Sequence, residues 1–190
     1  MKPDEIIALF KEKGALLNGH FILSSGLHSN EYMQCALLLQ YPEVAALLCK
    51  ELASKFMDER VDVVAGPALG GVIVAHELAR HLKVRSLFSE RKEGKMLLRR
   101  GFSLKPAERV LLVEDVITTG KSVLELYKLL QLYNCTIMGI AMLVDRSDGK
   151  LNPGIKVESL LKMSFKTFSP QDCPLCLQGI PAIKPGSRLS

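Results

Sequence analysis

The sequence predicts an α/β fold: a parallel sheet with helices on both faces, plus a small extra lobe built from the two ends of the chain. Three observations carry this. Short apolar runs, VDVVA (61–65), VLLV (110–113) and TIMGIAMLV (136–144), have the unalternating, β-branched composition of strands buried on both faces. Between them lie stretches with apolar residues at helical spacing. At 190 residues the chain suits one domain with a sizeable core and is too short for two large ones.

The elements follow in order. Residues 4–13 form an amphipathic helix with Gly14 as its stop. GHFILSSG and LHSNEYMQCALLL, two apolar-rich runs around a Ser-Ser-Gly turn, read as strands. Pro42 opens a helix in which Val44, Leu48, Leu52 and Phe56 recur every fourth residue. After the strand at 61–65, GPALGG (66–71) is a glycine turn. VIVAHELARHL (72–82) is then a helix with Val72, Ala75, His76 and Ala79 on one face, which makes His76 a packing residue. VRSLF (84–88) is the next strand. The helix that follows residues 110–122 carries Leu126, Leu129, Leu130 and Tyr133 at i, i+3, i+4 and i+7. The tail from about 152 is rich in Pro and Lys, with VESLLKM as a late strand or short helix. The single domain, 1–190, thus divides into a core of about 41–150 and a lobe from about 1–40 and the C-terminal tail.

Composition narrows the function. A net charge of +5 fits an anionic metabolite as well as nucleic acid, but aromatics make up only 6 % and Trp is absent, which argues against a base-stacking platform. No apolar run approaches membrane-spanning length, and the acidic, amphipathic start is not a signal peptide. A cytoplasmic protein with neither membrane nor nucleic-acid partner is expected. Cys35, Cys49, Cys135, Cys173 and Cys176 are odd in number and fit reduced thiols. Cys173-Pro-Leu-Cys176 is a lone CxxC, and with no second CxxC or HxxxH to complete a metal site it reads as an ordinary turn with two partly buried thiols.

The chemistry concentrates in residues 110–122, VLLVEDVITTGKS. The closing TGKS looks like a nucleotide-binding P-loop, but Asp115 stands where that loop needs its first Gly. Glu114 and Asp115 end an apolar strand, where ligands of open parallel sheets collect. Adjacent carboxylates repel a phosphate, yet they accept hydrogen bonds from vicinal hydroxyls and help hold a hydrated Mg²⁺. Thr118-Thr119-Gly120-Lys121-Ser122 then leads into a helix and points backbone N–H groups at an anion. A diol-binding end followed by a phosphate-binding end suits a ribose 5-phosphate.

This run resembles the phosphoribosyl pyrophosphate (PRPP) signature of type I phosphoribosyltransferases. Other segments are similar to the orotate phosphoribosyltransferase family: FILSSGLHSNEYMQC (21–35) resembles its N-terminal hood, GPALGG its pyrophosphate-side loop, SERKEGKMLLRRGF (89–102) its mobile catalytic loop, and CPLCLQGIPAIKPGSR the tail of one branch. The resemblance implies transfer of the phosphoribosyl group from PRPP to orotate, giving orotidine 5′-monophosphate and pyrophosphate, with Mg²⁺ as cofactor. It implies that Arg91, Lys92 and Lys95 contact PRPP together with Glu114, Asp115, Val116, Ile117, Thr118, Thr119, Gly120, Lys121 and Ser122. Thr118 and Arg146 contact orotate, and Lys95, Glu114 and Asp115 are the catalytic residues. No residue is expected to bind the metal directly; Mg²⁺ comes through PRPP and water near Glu114 and Asp115. A loop shared between subunits implies a homodimer.

On residues alone, the cations at 91–100 also fit a solvated basic hairpin, and Arg146 in LVDRSDG fits a salt bridge with Asp145 or Asp148. Orotate has a carboxylate for a guanidinium to grip, and purine bases do not. The chain departs from the family pattern at Leu97, where many members have a His, and at Ser24 and Gly70, where some branches have Lys. His20, His28, His76 and His81 are not obvious substitutes for that His. The rival readings are a PRPP-sensing regulator without activity and a purine phosphoribosyltransferase.

Overall fold

The computed structural model describes residues 1–23 and 25–185. Ser24, one of the departures from the family pattern, and residues 186–190, the end of the tail, lie outside the described residues.

Pro3 opens α1 (Pro3–Glu12), where the Glu5 carboxylate accepts the Lys2 backbone N–H at 2.7 Å, and Gly14 turns the chain at φ +65°. β1 (Leu16–Ile22) and β2 (His28–Met33) pair antiparallel with a bulge between Asn18 and Phe21. The second apolar run does not continue as a strand: it breaks into the short helix α2 (Ala36–Leu39). Leu38 and Leu39 are both buried, which consecutive residues of a half-exposed strand cannot be, because their side chains leave on opposite faces. α3 (Pro42–Ser54) starts at Pro42 as expected and buries Val44, Leu48 and Leu52.

The main sheet follows. β3 (Val63–Pro67) leads through α4 (Gly70–Leu82) to β4 (Arg85–Lys92), which turns into β5 (Lys95–Leu98). β6 (Arg109–Ile117), α5 (Lys121–Gln131), β7 (Thr136–Asp145) and β8 (Val157–Lys162) complete it. Among the described residues the sheet has six strands in the order β5-β4-β3-β6-β7-β8, parallel except for the antiparallel β4–β5 hairpin. The tail segment VESLLKM therefore forms a strand of the main sheet, beyond the expected core boundary near 150. β9 (Thr167–Phe168) crosses back to pair with β2, giving a three-stranded hood, β1-β2-β9.

Alternation along β6 divides the core. Leu111 and Val113 face the helices α1, α3 and α4 with Leu48, Leu52, Phe56 and Leu78, whereas Val110 and Leu112 face α5 with Leu126 and Leu130. Each such side chain, fully buried, contributes about 1.5–3 kcal/mol. α4 buries Gly71, Val74, Ala75, Leu78 and Ala79, so His76, expected on the packed face, is exposed. The pairs Val74–Ala75 and Leu78–Ala79, four residues apart, offer more apolar surface than the face through His76. No described helix is long and apolar enough to cross a membrane.

After β9 the tail returns to the hood. α6 (Pro174–Leu177) brings Cys173 and Cys176 against His20 and His28, with one ligand-type atom from each within 4.8 Å of the others. The expectation of a lone CxxC turn is thus corrected. The strand pairing of β1 with β2 supplies a second pair of side chains from far away in the sequence.

Two features place the site. The chain moves from β3 outward to β4, then returns to the other side of β3 for β6, so the loops after β3 and β6 diverge and open a crevice at the strands' carboxyl ends. The loop after β3 is tightly folded: a Cβ at Gly66 would collide with the Gly71 carbonyl, and one at Gly71 would lie 2.8 Å from Pro67 Cδ. Because the obstacle at Gly66 is backbone, Gly66→Ala is expected to cost about 1–3 kcal/mol, read as a lower urea midpoint at unchanged slope. An unaltered midpoint would show that this loop has room to move.

Candidate active site in the crevice between hood and sheet

Glu114 and Asp115 stand at the carboxyl end of β6, facing the glycine loop 66–71. The Asp115 carboxylate accepts the Val116 N–H at 2.9 Å, and Glu114 Oε1 accepts the Asp115 N–H at 3.3 Å. A Cβ at Gly70 would run into the Asp115 carboxylate, and one at Gly71 would lie 3.2 Å from Glu114 Oε1. A side chain at Gly70, the lysine of other branches included, therefore requires the Asp115 carboxylate to move aside. Burial, aided by the neighbouring Asp115 carboxylate, pushes the Glu114 pKa up to about 9; backbone hydrogen bonds from Asp115 and Gly71 oppose the shift without offsetting it. In the ligand-free protein Glu114 keeps its proton at neutral pH.

The chain then turns through Thr118 and Thr119, both exposed, to the buried Gly120, which precedes α5. Gly120 has φ +73°, and a Cβ there would lie 2.8 Å from Leu151 Cδ1, so conformation and space both demand glycine. A concavity of about 80 Å³ is lined by Glu114, Val116 and residues 117–123. Backbone N–H groups at the start of α5 and small hydroxyl side chains give it the chemistry of an anion site.

Beside it lies a larger cavity of about 400 Å³ between hood and sheet. Asp115, Val116, Thr118 and Thr119 form its floor, Arg146 stands at one side, and Ile22, Tyr32, Cys35, Lys184 and Pro185 belong to its hood wall. Val116, Thr118 and Thr119 line both concavities, so the two are continuous. The wall residues were not singled out from the sequence. The hood-like run 21–35 contained Ile22, Tyr32 and Cys35, and the family-like tail CPLCLQGIPAIKPGSR contained Lys184 and Pro185, but neither run gave these residues a role. Burial raises the Tyr32 pKa above its ordinary value, so its hydroxyl is a donor at neutral pH.

Arg146 follows β7, its backbone N–H donated to the Ile117 carbonyl at 2.8 Å. Its guanidinium carbon lies over the Phe165 ring, 3.7 Å from the centroid. Its Nε is buried without a hydrogen-bond partner among the described residues, and no ion pair there joins it to Asp145 or Asp148. The Asp145 carboxylate instead accepts the Ser147 N–H at 2.8 Å. The salt-bridge reading of Arg146 is therefore not what the fold uses. A desolvated planar cation, stacked and aimed along a cavity wall, is suited to a planar anion.

The basic segment is an ordered hairpin. Lys92 pairs with Lys95 across Glu93 and Gly94, at φ +52° and +79°, the sign pattern of a type I′ turn. Arg91 pairs with Glu125 on α5 and donates to the Gly94 carbonyl at 3.1 Å, while Arg100 forms a bidentate pair with Glu90 at 2.8 Å. Arg91, Lys92 and Lys95 line neither concavity. The fold thus brings together Glu114 through Ser122 and Arg146 around the concavities, while the loop cations stay outside their lining, Arg91 held on α5 by Glu125. Leu97 lies on β5 opposite Glu90. His81 is engaged in packing, with Nε2 2.9 Å from the Ala46 carbonyl.

The comparisons agree with this geometry. Residues 38–172 match the phosphoribosyl transferase domain family. The orotate phosphoribosyltransferase of Pelotomaculum thermopropionicum is 55 % identical over 188 residues, 99 % of each chain, and that of Desulforamulus reducens is 54 % identical over 99 % of this chain and 98 % of its own. The crystal structure of orotate phosphoribosyltransferase from Aeropyrum pernix superposes with a TM-score of 0.72 at 28 % identity, covering 83 % of this chain and 93 % of that one. With a crevice at the sheet's switch point, Arg146 beside it and relatives matched end to end, the chain belongs to the orotate phosphoribosyltransferases of the phosphoribosyl transferase family.

Proposed function

We propose that this orotate phosphoribosyltransferase, a cytoplasmic enzyme of pyrimidine biosynthesis, uses the whole chain as one domain and reacts in the crevice between hood and sheet. Orotate N1 displaces pyrophosphate from C1 of PRPP with inversion, giving orotidine 5′-monophosphate. The observation that carries this is the arrangement of Arg146 and the 114–122 turn around one continuous cavity. Backbone N–H groups of residues 117–122 and the hydroxyls of Thr118, Thr119 and Ser122 hold the 5′-phosphate, with Lys121 adding charge at the rim. Glu114 and Asp115 take the ribose hydroxyls and the positive charge that develops on the ring as the bond to pyrophosphate lengthens. Orotate lies over Thr118 with its carboxylate on Arg146.

The oxygen donors Glu114 and Asp115 suit a hard cation held through water and ribose hydroxyls. Mg²⁺ so bound supplies charge neutralisation on the pyrophosphate. The Glu114 proton must leave before that carboxylate can carry a full charge, so occupancy of the crevice and the protonation of Glu114 are linked.

The loop cations Arg91, Lys92 and Lys95 complete the PRPP site from the hairpin. Lys92 and Lys95 are exposed at the hairpin tip and line neither of this chain's concavities, which supports delivery into the cleft of a second copy, and hence a homodimer with the loop shared between subunits. Lys95 neutralises the departing pyrophosphate.

Three outcomes are expected. Arg146→Ala raises the KM for orotate roughly 10-fold or more, from about 1.5–3 kcal/mol for a charged hydrogen bond, and leaves the Kd for PRPP unchanged. A parallel loss of both would remove Arg146 from the orotate site. Lys95→Ala lowers kcat ~10²-fold. Co-refolded with Arg146→Ala chains and assayed at orotate well below that variant's KM, it gives more activity than the sum of the two variants assayed alone; no excess would mean that the loop serves its own subunit. The third concerns pH. With the folded Glu114 pKa at about 9 against 4.5 for the free group, the native state holds a proton that the unfolded chain releases. The contribution to stability is complete below pH 4.5 and is lost as pH rises through about 9. The unfolding free energy of ligand-free protein should fall more steeply over that window in wild type than in Glu114→Gln. Equal slopes in urea titrations across the window would show Glu114 ionised in the free enzyme.

A further inference from the structure

The hood holds a second cluster of reactive side chains, away from the crevice. His20 of β1, His28 of β2, and Cys173 and Cys176 around α6 present one nitrogen or sulfur each, all within 4.8 Å of one another. His20 Nε2 is 2.8 Å from His28 Nδ1 and 3.4 Å from Cys173 Sγ; Cys176 Sγ is 3.3 Å from His28 Nδ1 and 3.7 Å from His20 Nε2. Around a tetrahedral zinc ion with bonds of about 2.0–2.1 Å to nitrogen and 2.3 Å to sulfur, ligand atoms stand roughly 3.3–3.8 Å apart. The three contacts that involve sulfur fall on this scale; the two imidazole nitrogens must part by about half an ångström, and the widest pair, within 4.8 Å, must close by about one. His20, His28 and Cys173 are buried, with Cys176 on the solvent side.

The surroundings fit a ligand set better than a chance cluster. His20 Nδ1 lies 2.7 Å from the Ile180 carbonyl. As donor there, the ring presents its Nε2 lone pair to the cluster, the arrangement in which histidine ligands are held in orientation. Two thiolates and two neutral imidazoles balance a divalent ion, and a closed S₂N₂ set without a carboxylate suits a structural site rather than a catalytic one. We propose that His20 Nε2, His28 Nδ1 and the thiolates of Cys173 and Cys176 bind one structural zinc ion that straps the C-terminal tail to the hood.

The strap has a functional end. Beyond Ile180, Ile183 donates its N–H to the His20 carbonyl and accepts that of Ile22, each at 2.8 Å, and Lys184 and Pro185 then line the large cavity. The ion thus anchors the segment that finishes the wall facing orotate, while the PRPP turn on β6 stands apart from it.

The test uses the full chain produced without added metal. Elemental analysis of the purified protein is expected to give about one zinc ion per chain, and Cys173→Ser/Cys176→Ser none. Replacement of the ion by Co²⁺ in wild type is expected to give the visible bands of tetrahedral cobalt with thiolate-to-metal charge transfer, a readout that needs no folded variant. The double variant, or wild type after chelation, is expected to melt at least about 5 °C lower and to show a several-fold higher KM for orotate with the Kd for PRPP unchanged. Wild type that carries no metal and takes up neither Zn²⁺ nor Co²⁺ would overturn the proposal. So would a Cys173–Cys176 disulfide in the freshly isolated protein, or zinc retained by the double variant.

Discussion

The glycine loop 66–71 packs against Glu114 and Asp115 with only hydrogen atoms between its backbone and their carboxylates, and the active end of the molecule depends on that approach. Because Gly66 has no Cβ the loop after β3 folds back on itself at Gly71, and because Gly70 and Gly71 have none it lies against the end of β6 at the sheet's switch point. The same closeness desolvates Glu114 and raises its pKa. It also leaves the floor of the cavity to Asp115, Val116 and the turn at 118–119, so that the two concavities share a single stretch of chain.

That contiguity explains why the heart of the site was legible in the sequence. Residues 110–122 hold a buried strand, an acidic pair and a small-residue turn into a helix, and local pattern alone is enough to read them. The core strands and α3 were legible for the same reason, since burial on both faces writes continuous apolar runs. What the sequence hid depends on distant pairing. Cys173 meets His20 across 153 positions, Arg91 finds Glu125 on another element, and β8 joins the sheet although its Pro- and Lys-rich surroundings suggested a tail. His76 was misplaced by a helical face chosen without knowledge of where the sheet lies. The basic hairpin was half legible: its charge was plain, but its internal pairs, Glu90 with Arg100 above all, emerge only with the strand register.

Hood and sheet are joined by chain crossings at both ends. Gln34 donates its backbone N–H to the Ala15 carbonyl at 2.8 Å where the hood gives way to α2, and β9 returns to β2 after β8 has completed the sheet. The cavity between them therefore has one wall, the 114–119 floor, set by a stiff parallel sheet, and an opposite wall set by a small antiparallel one. Changes in the hood can retune the base subsite without moving the phosphate turn. In such a division of labour one wall is common to the reaction and the other selects the acceptor.

The stacking of Arg146 on Phe165 has a consequence for selectivity. Phe165 sits between β8 and the hood strand β9, nearly buried, and fixes the guanidinium as a flat plate whose Nε is already cut off from partners in the described chain. If Arg146 takes the orotate carboxylate as proposed, a base without one that fills the cavity would seal that cation away from water and give it nothing in return. Refusal would then come from what the wrong base leaves uncovered rather than from any collision, and polar sites built this way discriminate far more strongly than apolar ones. On that reading uracil, which differs from orotate only by the missing carboxylate, would be turned away by an unanswered charge.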